Sequence, residues 1–355
     1  MQTRRFKGAF VPNESIIFVG QHLTMVMKTV SLLIFEDAIL SSLAVVIDIF
    51  AGVNHYLEQT GREPAFKLEL TSEKTKHIQL QRPAQFICYK TIDEVKQADL
   101  IIAPAFEGAA DTILEKNKAL IRWIQDMYEG GTEVASLCIG SYFLAEAGLL
   151  TGKSCTSHWQ SIEDMRNRYP DIKLLPDKVM TDQDGVYTSG GAFISLNLVI
   201  YLIEKFCGRD VSIAVSKMFS IDIDRVSQAH FAVFQGQRGH EDEGIHKAQS
   251  FIEANYDQQL TVEQIAEQAN MSKRNFIRRF KSATKNTPLE YLQRVKIESA
   301  KKELEKSSIN ISTLMYNAGY NDMKTFRQVF KRITGLTPVE YRRKYSRRVI
   351  EEDAA

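Results

Sequence analysis

One stretch near the C-terminal end of the chain is written twice, and no other feature limits so strongly what this part can fold into. Phe276–Ile277–Arg278–Arg279–Phe280–Lys281 continues through Thr284, Thr287–Pro288 and Glu290–Tyr291. Phe326–Arg327–Gln328–Val329–Phe330–Lys331 continues through Thr334, Thr337–Pro338 and Glu340–Tyr341, each matched residue displaced by 50 positions. Phenylalanines four residues apart lie on one face of a helix. The same pair, in the same register with the same residues after it, predicts two copies of one helical unit, each burying its own rings.

The first copy opens at Thr261, a candidate N-cap, and Val262, Ile265, Ala266 and Ala269 make the apolar face of a short helix. Asn270–Met271–Ser272 is the expected turn, because Asn tolerates the left-handed backbone that a helix C-terminus requires. Ser272 is then expected to cap a second helix, Lys273–Ser282. With Phe276 and Phe280 inward, that helix turns Lys273, Arg274, Asn275, Arg278 and Arg279 outward. This is the pattern of a helix-turn-helix, whose second helix carries donors able to reach base edges in a major groove. The second copy matches at Ile311, Leu314 and Ala318, turns at Gly319–Tyr320–Asn321 with one extra residue, and caps with Asn321 or Asp322. It turns out Met323, Lys324, Thr325, Arg327 and Gln328. Between the copies Leu289–Glu305 reads as one helix, a rod near 25 Å at about 1.5 Å per residue. Such a rod would hold two reading helices for successive major grooves, roughly 34 Å apart. The plainer alternative is a helical bundle without nucleic acid.

Charge separates this part from the rest. His246–Ala355 holds 21 Lys/Arg against 13 Asp/Glu, a net of +8, while the remainder carries −7 within an overall charge of +1. A basic third on a mildly acidic body suits a module for a polyanion such as double-stranded DNA.

Upstream, short apolar runs alternate with helical patterns. Strands are expected at Val30–Phe35, Phe66–Leu70, Phe86–Tyr89, Asp99–Ala103 and Val134–Leu137, with a hairpin over Val179–Thr188. Helices are expected from Leu43 to Gly61, from Ala109 to Tyr128, up to Leu149, and over Phe193–Phe206 and Ser212–Phe219. The alternation predicts a mostly parallel sheet covered on both faces, with a ligand site beyond the carboxyl ends of its strands. Those ends carry Glu36–Asp37, Phe106–Glu107–Gly108 and Cys138. A tight turn from strand to helix would expose Cys138, and a new helix N-terminus would lower its pKa, with His158 the one downstream histidine in reach. The alternative is a buried structural cysteine.

Ser227–Gly244, rich in glycine and charge, reads as a connection between two domains within a wider linker, 221–244. Four cysteines without CxxC spacing argue against a zinc site or a disulfide framework. No apolar run is expected to cross a membrane, and residues 1–27 read as an extension ahead of a start at Met25 or Met27 rather than a secretory signal. Residues 346–355 read as a charged tail.

On Ala135–Ser136–Leu137–Cys138–Ile139–Gly140, Leu144–Ala145–Glu146–Ala147–Gly148–Leu149–Leu150 and Ser157–His158–Trp159, the body over 28–220 resembles the class I glutamine amidotransferase-like superfamily and its ThiJ/PfpI group. The resemblance implies a flavodoxin-like α/β domain. It also implies where catalysis would lie. Peptidase-like members carry His directly after the nucleophile, where this chain has Ile139, and relatives carry a Glu in the first helix, where it has Ser42. Cys138 then reads as the wall of a ligand pocket formed with Asp37, Ser42, Phe106, Glu107, Ile139, His158 and Trp159; the alternative is a cysteine-dependent hydrolase or amidotransferase.

On Gly319–Tyr320, Phe326, Phe330, Lys331, Gly335, Thr337–Pro338 and Tyr341–Arg342, the all-α region 245–345 resembles the AraC/XylS DNA-binding domain. Met315 and Tyr316 depart from the small residues usual there. The domain order resembles the GlxA-type regulators. The resemblance implies a cytoplasmic, dimeric transcriptional regulator without catalysis, cofactor or metal. Its partners would be double-stranded DNA, a small effector sought among nitrogen-containing metabolites, and RNA polymerase. Arg274 and its neighbours are expected to read bases, and the Phe326 unit to anchor phosphates.

Overall fold

A computed structural model describes residues 27–224 and 227–346. The expected extension over 1–27, save Met27, and the expected tail over 346–355, save Ser346, lie outside the described residues.

The N-terminal domain runs β1 (Lys28–Leu33), α1 (Leu40–Gln59), β2 (Phe66–Ser72), β3 (His77–Gln79), β4 (Gln85–Ile87), β5 (Lys90–Thr91) and β6 (Leu100–Ala103). There follow α2 (Ala110–Lys116), α3 (Lys118–Glu129), β7 (Glu133–Ser136), α4 (Ser141–Glu146), β8 (Ser154–Cys155) and α5 (Ile162–Arg168). It closes with β9 (Lys173–Leu174), β10 (Met180–Gln183), β11 (Val186–Ser189), α6 (Ser195–Cys207) and α7 (Arg209–Met218). Seven strands form one sheet in the order β10-β11-β7-β6-β1-β2-β5. Only the β10–β11 pair is antiparallel within it. Leu100–Ala103 is buried throughout, as a central strand covered on both faces must be.

Two of the expected elements are recast. The helix expected over 109–128 is broken at Asn117, whose amide side chain donates to the Ile113 carbonyl at 2.8 Å and ends α2 by competing with the helical bond. The strand expected at Phe86–Tyr89 is shortened to β4 and pairs with β3 in a separate antiparallel hairpin. By length and composition α1 could cross a membrane. Here its buried stripe of Leu43, Val46, Ile49, Phe50, Val53 and Leu57 belongs to the sheet's core.

The C-terminal region is helical: α8 (Glu243–Ala254), α9 (Val262–Gln268), α10 (Lys273–Thr284), α11 (Pro288–Lys306), α12 (Ile311–Asn317), α13 (Met323–Thr334) and α14 (Pro338–Tyr345). It holds two cores. Phe276, Phe280 and Tyr291 centre one, and Phe326, Phe330 and Tyr341 the other. α11 has 19 residues, about 28 Å at 1.5 Å per residue, and contributes to both cores.

The repeat reaches the level of single bonds. Asn270 and Gly319 both take positive φ, 53° and 70°. Met271 N–H donates to the Ala266 carbonyl and Tyr320 N–H to that of Met315, each at 3.0 Å. Thr287 with Glu290 and Thr337 with Glu340 close identical capping boxes, each followed by proline. Tyr291 donates to Glu253 at 2.5 Å and Tyr341 to Glu305 at 2.7 Å. Met315, in register with Ala266, is accommodated inside the second core without altering the turn. Ser272 occupies the expected cap position of α10 but makes no capping hydrogen bond, whereas Asp322 caps α13 by accepting from Thr325 N–H at 2.7 Å.

Candidate functional site

Two regions carry the residues singled out from the sequence. The first is a cavity of about 550 Å³ beyond the carboxyl ends of β1, β6, β7 and β11, as expected for a parallel sheet. Cys138, two residues beyond the end of β7, takes φ of +57°, so the chain turns sharply into α4. The turn needs Gly140, because a Cβ there would lie 2.5 Å from the Ala103 carbonyl oxygen. Cys138 N–H donates to Ser189 Oγ at 3.2 Å, and the backbone N–H groups of Ala192 and Ile139 approach the thiol. Ala192 itself takes φ of +48°, so two left-handed residues meet at one wall of the cavity.

The chemistry of this elbow is passive. Burial pushes the Cys138 thiol above its ordinary value, and the two N–H groups offset only part of that. Burial also lowers the His158 pKa. His158 Nδ1 accepts from Gln160 N–H at 3.1 Å, and no hydrogen bond joins it to Cys138 among the described residues. A protonated thiol beside a neutral, unlinked imidazole is no activated nucleophile.

Of the residues expected to line the cavity, Ser42, Phe106, Cys138, Ile139 and His158 do so. Asp37 does not: it is buried beneath Gln81, whose amide donates to it, with Lys116 at 3.5 Å. Glu107 is exposed and ion-paired to Arg82 at 2.7 Å. Trp159 turns the other way, into a cleft of about 340 Å³ facing the helical region. Sequence reasoning missed the polar end of the cavity. There Arg168 pairs with Asp111 and, at 2.6 Å, with Asp164, which also accepts from Tyr142 at 2.6 Å. Arg168 holds the Asp111 carboxyl below its ordinary value. Within α5 the sequence marks only the buried face of Ile162 and Met165, and Asp111 lies 57 residues from its partner.

The second region is the outward face of the two reading helices. On α10, Lys273 is ion-paired to Glu263 at 2.5 Å and Arg278 donates to Asn275 at 3.0 Å. Arg279 grips Asp242 through two bonds, at 2.7 and 2.9 Å. Arg274 is exposed and makes no hydrogen bond or ion pair among the described residues. On α13, Met323 packs partly into the second core and Thr325 is tied to the cap Asp322, while Lys324, Arg327 and Gln328 are exposed.

Residues 28–205, half of the chain, match the DJ-1/PfpI family. The chain belongs to that family. Residues 265–344 match a helix-turn-helix domain of AraC type. Among curated relatives, the HTH-type transcriptional regulator GbdR of Pseudomonas aeruginosa is 22% identical over 316 residues, which cover 89% of this chain and 84% of that protein. The HTH-type transcriptional regulator GlxA of Rhizobium meliloti is 25% identical over 228 residues, covering 60% of this chain and 66% of that protein. Among solved structures, an AraC family transcriptional regulator from Pseudomonas putida is 18% identical with a TM-score of 0.48, covering 54% of this chain and 99% of that one.

Proposed function

We propose that this protein is a sequence-specific DNA-binding transcriptional regulator, whose DJ-1/PfpI domain receives a small effector without catalysing a reaction on it. The observation that carries this reading is the repetition of one helix-turn-helix unit, its turn and its following capping box, with arginine and lysine left on both outward faces. GbdR, whose match covers 89% of the chain and so reaches both of its parts, and GlxA are both named as transcriptional regulators. Arg274 is the first candidate for base contact, with Lys273, Asn275 and Arg278 beside it. Lys324, Thr325, Arg327 and Gln328 are candidates on the second unit, with Met323 at its edge. Arg279 would reach DNA only by releasing Asp242.

The effector would lie in the Cys138 cavity, whose apolar walls and one charged end suit a small molecule bearing both kinds of surface. Amino acids, amines and related nitrogen metabolites are the set to screen by thermal shift, since a ligand at about 100 times its Kd adds roughly 2.7 kcal/mol of stability. A cytoplasmic homodimer meeting RNA polymerase at its promoters completes the reading.

Selection of bound duplexes from a random pool, followed by gel shift, tests the assignment. Recovery of a shared sequence whose binding weakens in Arg274→Ala is the expected result. Binding indifferent to sequence and to that change would sink it. An enzymatic role for Cys138 would require rapid reaction with a thiol probe at neutral pH, and slow reaction is expected.

A further inference from the structure

Between the two domains the chain does not hang free. Gln228 is fully buried, and its amide nitrogen donates to Ser157 and Pro176 carbonyls at 2.9 Å, with the Lys178 carbonyl and Thr156 Oγ1 at 3.2 Å. Its oxygen accepts from Gly191 N–H at 3.2 Å. This plug sits directly behind the cavity wall. A Cβ at Gly190 would lie 2.6 Å from Gln228 Oε1, and one at Gly191 would lie 2.0 Å from His158 Cδ2. Gly191 also precedes Ala192, the left-handed residue that faces the Cys138 thiol. Nothing wider than a glycine backbone therefore separates Gln228 from the residues an effector would touch.

A few residues further on, the same segment is fastened to the helical region. Lys301 and Glu298 form an ion pair on α11 at 2.8 Å, with side chains only 4% and 10% exposed. Lys301 Nζ donates to the Ala232 carbonyl at 2.6 Å, and Glu298 accepts from Phe234 N–H at 3.1 Å. A buried pair spends its remaining hydrogen-bonding capacity on one strand of backbone, which fixes that strand's position on the rod joining the two units. Beyond it, Gln237 is bonded to Asn286, which follows α10, at 3.2 Å, and Asp242 holds Arg279 on α10 itself.

We infer that residues 228–242 form a transmission strap: the Gln228 plug reports the state of the cavity wall, and the Glu298–Lys301 pair and Asp242 convert its position into the placement of the reading helices. This rests on the regulator reading above. By linkage, whatever the cavity does to DNA binding, DNA binding must do to the cavity. The coupling can therefore be read without knowing the effector.

The test is hydrogen–deuterium exchange of the full chain, free and saturated with the duplex recovered by selection, followed in peptides covering 188–196. The Gly191 amide, bonded to the plug, is the reporter. A change of about fivefold or more on adding DNA is expected, the lower end of ordinary coupling between sites. The change should fall below about twofold in Gln228→Ala, and also in the double variant Glu298→Met, Lys301→Met, with DNA still bound in a gel shift. Replacing both members of the pair avoids leaving a buried charge alone, so this second variant decides the matter if Gln228→Ala does not fold. Unchanged exchange in the DNA-bound wild-type chain overturns the strap while leaving the regulator intact, as does a change that persists in either folded variant. Failure of the wild-type chain to shift any duplex removes the regulator reading, and the strap with it.

Discussion

In the first helix-turn-helix unit Lys273 leans on Glu263 and Arg279 is gripped by Asp242, whereas in the second Lys324 and Arg327 stand exposed with no ion pair within 4 Å among the described residues. Counted along the sequence, α10 carries more donors than α13. Counted by what is available, the difference shrinks to Arg274 and Arg278 against Lys324 and Arg327. The two pairings on α10 are unlike each other. Lys273–Glu263 is a surface pair, which is weak and easily exchanged for a phosphate. Arg279–Asp242 is bidentate, and Asp242 also caps α8 by accepting from Ile245 N–H at 3.2 Å, so releasing it disturbs a helix start. The second unit cannot make this contact, because the residue in register with Arg279 is Val329, which is buried in its own core. The first unit thus commits one of its outward arginines to the segment that leads into α8, whereas the second keeps Lys324 and Arg327 exposed.

Equivalence of the cores is the strongest element of the comparison and the one whose failure would be largest. Phe280 and Phe330 are both fully buried and meet Tyr291 and Tyr341 edge-on at 5.3 and 5.6 Å. Phe280→Ala and Phe330→Ala should each cost about 3–5 kcal/mol in denaturant unfolding. A loss under about 1 kcal/mol for either would show that the cores do not carry equal weight. Next in size, Arg274→Ala should weaken specific DNA binding by about 1–3 kcal/mol and relax the preference at one base position. Arg327→Ala should weaken all duplexes alike and reduce the salt slope by about 1. The reverse pattern would exchange the roles of the two units.

The smallest effect concerns the Asp242 latch. Arg279 holds the Asp242 carboxyl below its ordinary value, so the folded group stays ionised to lower pH than the unfolded one. The contribution is present above the ordinary value of 3.8 and is lost as the pH falls through and below it. Acid titration followed by exchange protection should therefore show loss at the start of α8 as the pH falls, with none at the start of α12, whose capping Asn310 side chain does not titrate. In Asp242→Asn that pH dependence should vanish. Equal loss at both sites would remove the latch as a distinguishing feature of the first unit.

Much of the architecture was open to sequence reasoning, because it depends on local chemistry. Thr261 caps α9 as expected and Asp322, one of two expected candidates, caps α13, Asn270 takes the left-handed turn, and most of the apolar runs become a parallel sheet. The elbow at Cys138 was legible too, as strand, turn and helix in succession. The cavity's charged end was not, nor was the displacement of Asp37, Glu107 and Trp159 from its lining. Arg168 meets Asp111 across 57 residues, and Gln228 meets Thr156 across 72. Such pairs leave no period in the chain, since nothing about either residue's neighbours specifies the other.

The sequence by itself therefore determined the two kinds of domain, the duplicated unit and its Asn270 turn, because propensity, turn chemistry and burial of periodic apolar residues act within a few positions of each residue. It also placed a basic face on the helical third. Only the tertiary structure decided which of those basic residues are exposed without an ion pair among the described residues, that the Cys138 thiol is buried with no hydrogen bond to His158 among them, and that the glycine-rich connection is bonded to both domains. Each of these depends on a partner brought near by the fold, where desolvation and a specific hydrogen-bond geometry, rather than residue type, set what a side chain can do.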